Sequence, residues 1–394
     1  MTARDKQTGN ETQTAALHQA MLALANPTDH ARSSWKRGRA VHLSAFRLRK
    51  LRFMVAQRGF FGRMANTLRW LRERKKTDAV HYLPPAVVIE TMNGCNLRCP
   101  QCATGTSDPA GRQKGRAGLP DMKAVIDQVC GKCLQVSFHN LGEPLLNEDF
   151  YAACDYAVGK GLWTVIHSNL NIRSPDLARR IIASRLCNLV ISCDGATQEV
   201  YEQYRVGGDV ELVFRNLSDI ARERRRAGRR LPWITAQFLV FEHNWQQMRP
   251  FQERALAAGA DEILFLPGNR NGAFQSGHAA ADLIFRLSEL DWVEREPVRL
   301  CCDLWDTLIV TYDRGLYPCC FAYRDSDLFS GPQEADAATI LERWNGPAYR
   351  AARRFFLGRA LGRQDLPEPC RECRRAAACD RDREHPADAA TPCR

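Results

Sequence analysis

Residues 86–102, AVVIETMNGCNLRCPQC, join a short apolar run directly to a loop that contains three cysteines. The run AVVIET (86–91) is typical of a buried β-strand, and Cys95, Cys99 and Cys102 follow it at intervals of four and three residues. An iron–sulfur cluster normally takes four thiolates, so three would leave one iron open, much as a catalytic zinc keeps one position for substrate or water. The spacing predicts a metal centre with an open position. A zinc site completed by a distant His or Cys, or a purely structural cluster, is the alternative.

Five further apolar runs alternate with helical stretches along the next part of the chain. This alternation is typical of a parallel sheet wrapped by helices. Six βα units at such spacing predict an α/β fold, a partial (β/α)6 TIM-like barrel with its active site at the carboxyl ends of the strands. The five runs are LQVSFHN (134–140), LWTVIHSN (162–169), NLVISCDG (188–195), ITAQFLVF (234–241) and EILFLPG (262–268).

The composition bounds the class of protein. With 394 residues and 45% hydrophobic content, the chain is long enough for two or more domains. The first twenty residues lack the apolar core of a signal peptide, and no later apolar run could span a bilayer, so we expect a cytoplasmic protein without a transmembrane segment. Thiols stay reduced in that compartment, so the sixteen cysteines indicate metal binding or redox chemistry rather than disulfides.

The net charge of +11 is concentrated in one stretch. Residues 35–76 contain fourteen Lys or Arg and a single acid, a local charge of +13 that leaves −2 for the rest of the chain. Within it, SAFRLRKLRFMVAQ (44–57) predicts a helix whose apolar face carries Leu48, Leu51 and Val55. Such a helix would lie peripherally on an anionic membrane surface, or bind RNA or another phosphorylated partner. The alternative is a solvated basic helix packed on the outside of the barrel.

Motifs after the cysteine loop occur in the order that a known superfamily shows. CNLRCPQC has the form C-x3-C-x2-C and resembles the signature of the radical S-adenosylmethionine (SAM) superfamily. GEP is similar to the acidic motif that receives the SAM amino group, and SNL stands where many members have Thr-Asn-Gly, a departure from the common form. SCDG resembles the fourth-strand motif near the ribose and carboxylate, and an arginine follows where many members bind the carboxylate. The resemblance implies SAM-binding roles for Gly142, Glu143, Pro144, Ser168, Asn169, Ser192, Asp194 and Arg205.

This resemblance, from about residue 86 to 268, also implies the cofactors. A [4Fe–4S] cluster on Cys95, Cys99 and Cys102 would bind SAM through its open iron, with electrons from a donor such as flavodoxin or ferredoxin. Reductive cleavage of SAM would give a 5′-deoxyadenosyl radical that removes hydrogen from an unactivated substrate carbon. The protein would hold the target C–H close by and keep competing hydrogen donors away.

A second cysteine-rich region begins after about residue 285. VTYDRGLYPCC (310–320) predicts a β-hairpin, and ILERWNGPAYRAARRFFLGR (340–359) predicts a helix. This order resembles the SPASM and twitch auxiliary domains of radical SAM enzymes, over residues 296–393, and implies one fully ligated auxiliary [4Fe–4S] cluster. The implied ligands are Cys302, Cys320, Cys370 and Cys373.

Alternatives to this second ligand set stay open. Cys301 and Cys319 stand beside two of the implied ligands, and either could replace its neighbour. Cys379 and Cys393 fit part of the longer SPASM pattern, which has a second auxiliary cluster, but Arg383 occupies a position where that pattern has a cysteine. A zinc ribbon-like site on the CREC pair is a further alternative.

The expected organisation has four parts. They are a disordered tail at 1–34, a basic helical extension at 35–84, the radical SAM partial barrel at 85–285 and the auxiliary cluster domain at 296–394.

The prediction of two iron–sulfur clusters favours an oxidoreductase. The radical would abstract hydrogen, an unidentified base would take a proton, and the auxiliary cluster would accept the remaining electron. His139 and His167, at strand ends, are candidates to line the pocket. No peptide-recognition module precedes the barrel, which favours a sugar- or cyclitol-like or carrier-linked substrate.

Three other functions remain open. They are a peptide or protein maturase, a redox-neutral epimerase in which a thiol such as Cys193 returns hydrogen, and a non-enzymatic anionic-surface or RNA-binding protein with structural clusters. The epimerase requires that strand alternation break at Cys193, because the residue otherwise faces the helices.

Overall fold

The computed structural model describes residues 40–57, 59–106, 111–268, 301–359, 362–373, 376–377 and 379. The expected tail at 1–34 and Cys393 lie outside these residues. Within the described ranges, every helix is too short or too polar to cross a lipid bilayer.

Six parallel strands form the sheet that the apolar runs predict, and each begins and ends within one residue of its run or inside it. Strands that are neighbours in sequence are also neighbours in the sheet, in the order β6-β5-β4-β3-β2-β1. The predicted partial barrel is confirmed. The strands are β1 (Ala86–Ile89), β2 (Gln135–Phe138), β3 (Trp163–Ser168), β4 (Asn188–Ser192), β5 (Trp233–Val240) and β6 (Glu262–Pro267).

Helices between the strands cover one face of the sheet. Val87, Val136 and Ile166 pack with residues of these helices in the main core. Adjacent residues of a strand point to opposite faces, so Ser137, next to Val136, and Val165, next to Ile166, point to the inner face. Among the described residues, two α-helices precede β1, three follow β6, and the rest lie between the barrel strands. In chain order they are α1 (Ala40–Val55), α2 (Phe60–Glu73), α3 (Ala103–Thr106), α4 (Leu119–Val129), α5 (Phe150–Gly159), α6 (Leu177–Ala183), α7 (Gln198–Tyr204), α8 (Val210–Arg226), α9 (Met248–Ala258), α10 (Asp303–Asp306), α11 (Ile340–Trp344) and α12 (Pro347–Phe356).

Helix α1 lies at the end of the sheet opposite the cysteine loop. Lys50 Nζ donates a hydrogen bond to Gln135 Oε1 at 2.7 Å, and the Phe53 ring packs edge-on against Trp163 with 5.5 Å between ring centroids. Gln135 and Trp163 are the first residues of β2 and β3. The helix therefore packs on the barrel at the N-terminal ends of β2 and β3.

The predicted apolar face of α1 points towards solvent. Leu48 and Val55 are exposed and Leu51 is only half-buried, whereas Lys50 and Met54 are buried. Helical periodicity shows which residues share a face, but it does not show which face meets the protein. Here the inward face includes a lysine because the start of β2 offers it a hydrogen-bond acceptor.

The second cysteine-rich region adds two strands to the same sheet. β7 (Leu308–Val310) pairs parallel with β1, and β8 (Leu316–Tyr317) pairs antiparallel with β7. The predicted hairpin is confirmed. The single helix predicted at 340–359 is instead the two helices α11 and α12, because Gly346 and Pro347 begin a new helix after the first one ends.

Candidate active site

The three thiols of the cysteine loop lie together in a small apolar pocket. The backbone N–H of Cys102 donates to Cys99 O at 3.1 Å, which closes a turn within the loop. Burial, the Glu143 carboxylate and the other two thiols raise the pKa of Cys95 to about 11. A metal would therefore release protons on binding. The members of the pocket are Cys95, Leu97, Cys99, Cys102, Tyr204, Leu239 and Phe241.

The donor set of this pocket fits a cluster better than a single ion. Within the described residues, no three His, Cys, Asp or Glu side chains form a group that could hold a metal ion. One zinc needs its donors in a tight tetrahedron, whereas the thiolates of a four-iron cube bind different irons. Three thiols in one pocket match the second arrangement.

Glycines allow the GEP segment to lie directly against the cysteine loop. Gly142 has φ +77°, a left-handed conformation, and a Cβ there would lie 2.5 Å from Met92 O and 2.6 Å from Gly94 O. The next residue, Glu143, donates its backbone N–H to Gly94 O at 2.8 Å. Only glycine fits at 142, and this packing places the Glu143 side chain beside the loop.

Glu143 is a buried carboxylate that joins the ends of β2 and β3. Its Oε1 accepts hydrogen bonds from Leu145 N at 3.0 Å and Ser168 Oγ at 2.9 Å, and its Oε2 accepts one from Asn169 N at 2.7 Å. Burial raises the pKa of Glu143 to about 7, although these hydrogen bonds oppose the shift. The sequence-predicted residues Glu143, Ser168 and Asn169 therefore form one network, and Pro144 begins the short 3-10 turn at 144–146.

The SNL turn contacts the cysteine loop through Asn169, whose Nδ2 lies 3.6 Å from Cys95 Sγ. Its third residue, Leu170, has φ +55°, the left-handed region that glycine prefers. The backbone is therefore the one that a Thr-Asn-Gly turn would take. Complete burial of the Leu170 side chain in the main core offsets the strain of this conformation.

Asp194 and Arg205 meet on the other side of the pocket. Arg205 Nε donates to Asp194 Oδ2 at 2.6 Å, and Asp194 Oδ1 accepts from Leu239 N at 2.7 Å. Arg205 Nη1 also lies 3.9 Å from Cys99 Sγ. The guanidinium thus connects the fourth-strand motif to the cysteine loop, while Ser192 is half-buried at the end of β4.

Four thiols of the second cysteine-rich region also come together. Cys370 is buried, and the nearby thiols of Cys301, Cys319 and Cys373 add to the effect of burial in raising its pKa. Asp303 interacts with both Cys319 and Cys370. Cys301 and Cys370 belong to the main core, and Cys373 packs against it.

Cys302 and Cys320, which the resemblance implies as ligands, are placed differently from their neighbours Cys301 and Cys319. Cys320 is exposed, and Cys302 is half-buried at the residue that precedes α10. Cys379 is buried in the main core.

Two family models match this chain. Residues 89–233 match the Radical SAM superfamily, and residues 301–374 match SPASM, an iron–sulfur cluster-binding domain. The chain contains a radical SAM domain and, C-terminal to it, a SPASM domain. The two domains imply a [4Fe–4S] cluster, SAM binding and auxiliary clusters.

Curated relatives match over one part of the chain. Mycofactocin maturase MftC of Mycobacterium tuberculosis is 30% identical over 142 residues, which are 35% of this chain and 34% of the relative. AdoMet-dependent heme synthase of Methanosarcina barkeri is 29% identical over 124 residues, 31% of this chain and 34% of the relative. The chain thus spans about a third of the length of these relatives.

A solved structure shares the fold over most of the chain. SuiB of Streptococcus suis bound to S-adenosylmethionine superposes with a TM-score of 0.56 at 14% identity, and the match covers 78% of this chain and 76% of SuiB. At this identity the similarity shows the fold alone.

The inner face of the sheet carries polar residues at the strand ends. The rings of His139 and His167 contact each other with 4.3 Å between centroids and 38° between planes, and His139 Nδ1 is buried without a hydrogen-bond partner among the described residues. Burial lowers the pKa of His167 to about 4 and that of His139 well below its usual value, so both rings are neutral near pH 7.

Glu90 is a residue that the sequence analysis missed. It is fully buried just after β1, where its carboxylate accepts hydrogen bonds from Asn140 Nδ2 at 2.6 Å and Tyr312 N at 3.4 Å. Burial raises its pKa to about 7. An acid at the end of an otherwise apolar run was the available signal.

Cys193 lies in the core between the sheet and the helices. It is buried, and its Sγ donates to Gly195 O at 3.4 Å. Burial raises the pKa of this thiol to about 12. Strand alternation does not break here, so Cys193 faces the helices and not the inner face on which His139 and His167 lie.

Proposed function

We propose that this enzyme dehydrogenates a substrate carbon, with the auxiliary cluster accepting an electron. The observation that carries the proposal is the pocket of Cys95, Cys99 and Cys102 beside the buried Glu143 network. Bound there, the cluster and SAM would together supply a radical able to remove hydrogen from unactivated carbon.

Glu143 keeps hydrogen-bonding capacity that SAM could use. A carboxylate accepts about four hydrogen bonds, and Glu143 uses two at Oε1 and one at Oε2. We assign the remaining capacity at Oε2 to the SAM amino group. Gly142 and Pro144 would set the position of Glu143, and Ser168 and Asn169 its orientation.

Asp194 and Arg205 would bind the opposite part of SAM. Arg205 engages Asp194 through Nε, so its other N–H groups remain suited to a carboxylate. Ser192 and Asp194, at the end of β4, would lie near the ribose. The Arg205 charge beside Cys99 would also stabilise the thiolate form of that ligand.

The auxiliary cluster would complete the oxidation. Removing a hydrogen atom from an alcohol carbon and a proton from its hydroxyl leaves a radical that must lose one more electron to become a carbonyl. A cluster with four thiolates has no vacancy for substrate, which suits it to accept that electron. Cys370 and Cys373 would supply two ligands, with one further ligand from each adjacent pair. Burial and mutual proximity support Cys301 and Cys319 over Cys302 and Cys320.

The inner face supports a hydroxylated substrate, either sugar- or cyclitol-like or carrier-linked. His139 Nδ1, in a neutral ring, is suited to accept a hydrogen bond from a substrate hydroxyl. Flavodoxin or ferredoxin would supply electrons, and the basic segment at 35–76 would contact an anionic membrane surface or phosphorylated partner. Maturation of a peptide or protein is the second candidate, supported by the similarity to mycofactocin maturase.

Anaerobic reconstitution tests the proposed chemistry at the first site. Wild-type protein should contain about eight irons and form 5′-deoxyadenosine from SAM. The variant Cys95→Ala/Cys99→Ala/Cys102→Ala should keep about four irons and form none. The matched control is Cys130→Ala, at another half-buried cysteine of the barrel, which should behave as wild type. Undiminished 5′-deoxyadenosine in the triple variant would refute the proposal.

Incubation in deuterium oxide distinguishes oxidation of the substrate from a redox-neutral epimerisation in which hydrogen is returned to the same carbon. A panel of sugars, cyclitols and carrier-linked forms, incubated in deuterium oxide, should give an oxidised product without solvent deuterium at the reacting carbon. Deuterium at that carbon in an unoxidised product would instead establish the epimerase.

A further inference from the structure

Helix α1 presents two apolar side chains, Leu48 and Val55, to solvent while it buries a lysine. The exposed fractions of Leu48 and Val55 are 47% and 53%, whereas Lys50 is 1% exposed. The Lys50 side chain points inward because it donates a hydrogen bond to Gln135 at the start of β2. An amphipathic helix of a soluble domain normally has the opposite arrangement.

Helix α2 is oriented in the same way. Its buried residues include Arg63, Asn66 and Thr67, and Arg63 donates to Cys130 O at 2.8 Å and Lys160 O at 2.6 Å. On the opposite side, Phe61 is 85% exposed and Leu68 is 38% exposed. Specific polar contacts thus fix α2 with Phe61 and Leu68 outward, while Trp70 is buried in the main core.

Exposed large apolar residues are concentrated on these two helices. Seven occur among the described residues, and four of them lie on α1 and α2. Single exposed apolar residues are ordinary, but a concentration marks an interaction surface. The other three are Leu146, Leu256 and Phe321.

Basic residues share the same exposed stripes. Leu48, Arg52 and Val55 follow at intervals of four and three residues on α1, and all are exposed. On α2, Phe61, Leu68 and Arg72 lie on one stripe and are likewise exposed. We call these six residues the outer face.

We propose that the outer face docks on an anionic membrane surface. Phe61 and the aliphatic residues would enter the boundary between headgroups and acyl chains, while Arg52 and Arg72 would pair with lipid phosphates. The surface is independent of the radical chemistry proposed above.

Other occupants fit less well. A nucleic acid would satisfy the arginines but gives exposed aliphatic side chains little to contact, because it is bound through its phosphates and stacked bases. Residues 1–34 of this chain contain three basic and three acidic residues, so they offer no charge complementary to the +13 of residues 35–76.

Vesicle sedimentation of the reconstituted holoenzyme tests the proposal. Vesicles of phosphatidylcholine and phosphatidylglycerol should bind at least about tenfold more tightly than phosphatidylcholine alone, and less tightly as salt rises. The variant Val55→Glu/Phe61→Glu should lose about tenfold or more of this binding. The control Leu256→Glu, at a site 47% exposed on α9, should stay within about twofold.

A second variant, Arg52→Gln/Arg72→Gln, should weaken binding to anionic vesicles and reduce its salt dependence. All variants should retain wild-type iron content and SAM cleavage, which shows that they fold. The proposal fails if wild-type protein does not prefer anionic vesicles, or if Val55→Glu/Phe61→Glu binds them unchanged. It also fails if poly(U) RNA binds while vesicles do not, or if vesicles bind only after residues 1–34 are removed.

Discussion

The two cysteine sites of this protein differ in how they are distributed along the sequence, since one lies in a single segment and the other is assembled from several. The first site lies within the eight residues from Cys95 to Cys102, directly after β1. The second is assembled from the pairs at 301–302 and 319–320 and from the segment 370–373. Spacing alone predicts the ligands of the first site, whereas the ligands proposed for the second depend on how α10, β8 and the segment after α12 pack.

The adjacent pairs offer the largest test of this difference. We expect Cys319→Ala to lose the auxiliary cluster, about four of about eight irons, because Cys319 is close to Cys301 and Cys370. Cys320→Ala should retain it because Cys320 is exposed. Iron and sulfide counts with electron paramagnetic resonance would measure this. The same comparison applies to Cys301→Ala and Cys302→Ala, and loss of the cluster in the variants at 320 and 302 alone would reverse the assignment.

The sequence predicted the parts of the fold that local pattern determines. All six barrel strands and the β7–β8 hairpin followed from short apolar runs bounded by turns. The inward face of α1 did not, because periodicity cannot show that Lys50 has an acceptor on β2. The break before Pro347 was present in the sequence but was overlooked.

In the candidate sites, too, residues within local motifs were predicted, whereas a residue held by contacts between distant segments was not. Glu143, Ser168 and Asn169, inferred separately from motifs, form one hydrogen-bond network. Glu90 was missed because its partners, Asn140 and Tyr312, come from different parts of the chain. Contacts between distant segments are what the sequence alone leaves undetermined.

Leu170 tests whether the first site tolerates its departure from a glycine turn. Leu170→Ala should lower the free energy of unfolding by about 2–5 kcal/mol, because it removes a fully buried side chain. Leu170→Gly loses the same side chain but suits φ +55° better, so it should be about 1 kcal/mol more stable than Leu170→Ala. Thermal unfolding of both variants measures the difference, and a glycine variant less stable than the alanine variant would contradict it.

Glu90 provides a pH-dependent test at the junction of the barrel and the β7–β8 hairpin. Its pKa is raised from 4.5 to about 7, so the folded state holds the proton more tightly than the unfolded state. The resulting stabilisation is present below pH 4.5 and is lost as pH rises towards 7.

The variant Glu90→Gln should therefore gain stability relative to wild type as the pH rises, by about 3 kcal/mol in total. Glutamine keeps an acceptor oxygen for Asn140 Nδ2. Unfolding midpoints measured for both proteins between about pH 4 and pH 8 would test this. A difference that does not vary with pH would show that Glu90 titrates normally.

The central claim is that Cys95, Cys99 and Cys102 leave one iron for SAM. Electron–nuclear double resonance on the reduced holoenzyme, with SAM carrying ¹⁵N in its amino group and ¹⁷O in its carboxylate, tests it most directly. The account predicts hyperfine coupling of both nuclei to the cluster, and its loss in Cys95→Ala/Cys99→Ala/Cys102→Ala. Absence of coupling in wild-type protein with saturating SAM would contradict the account.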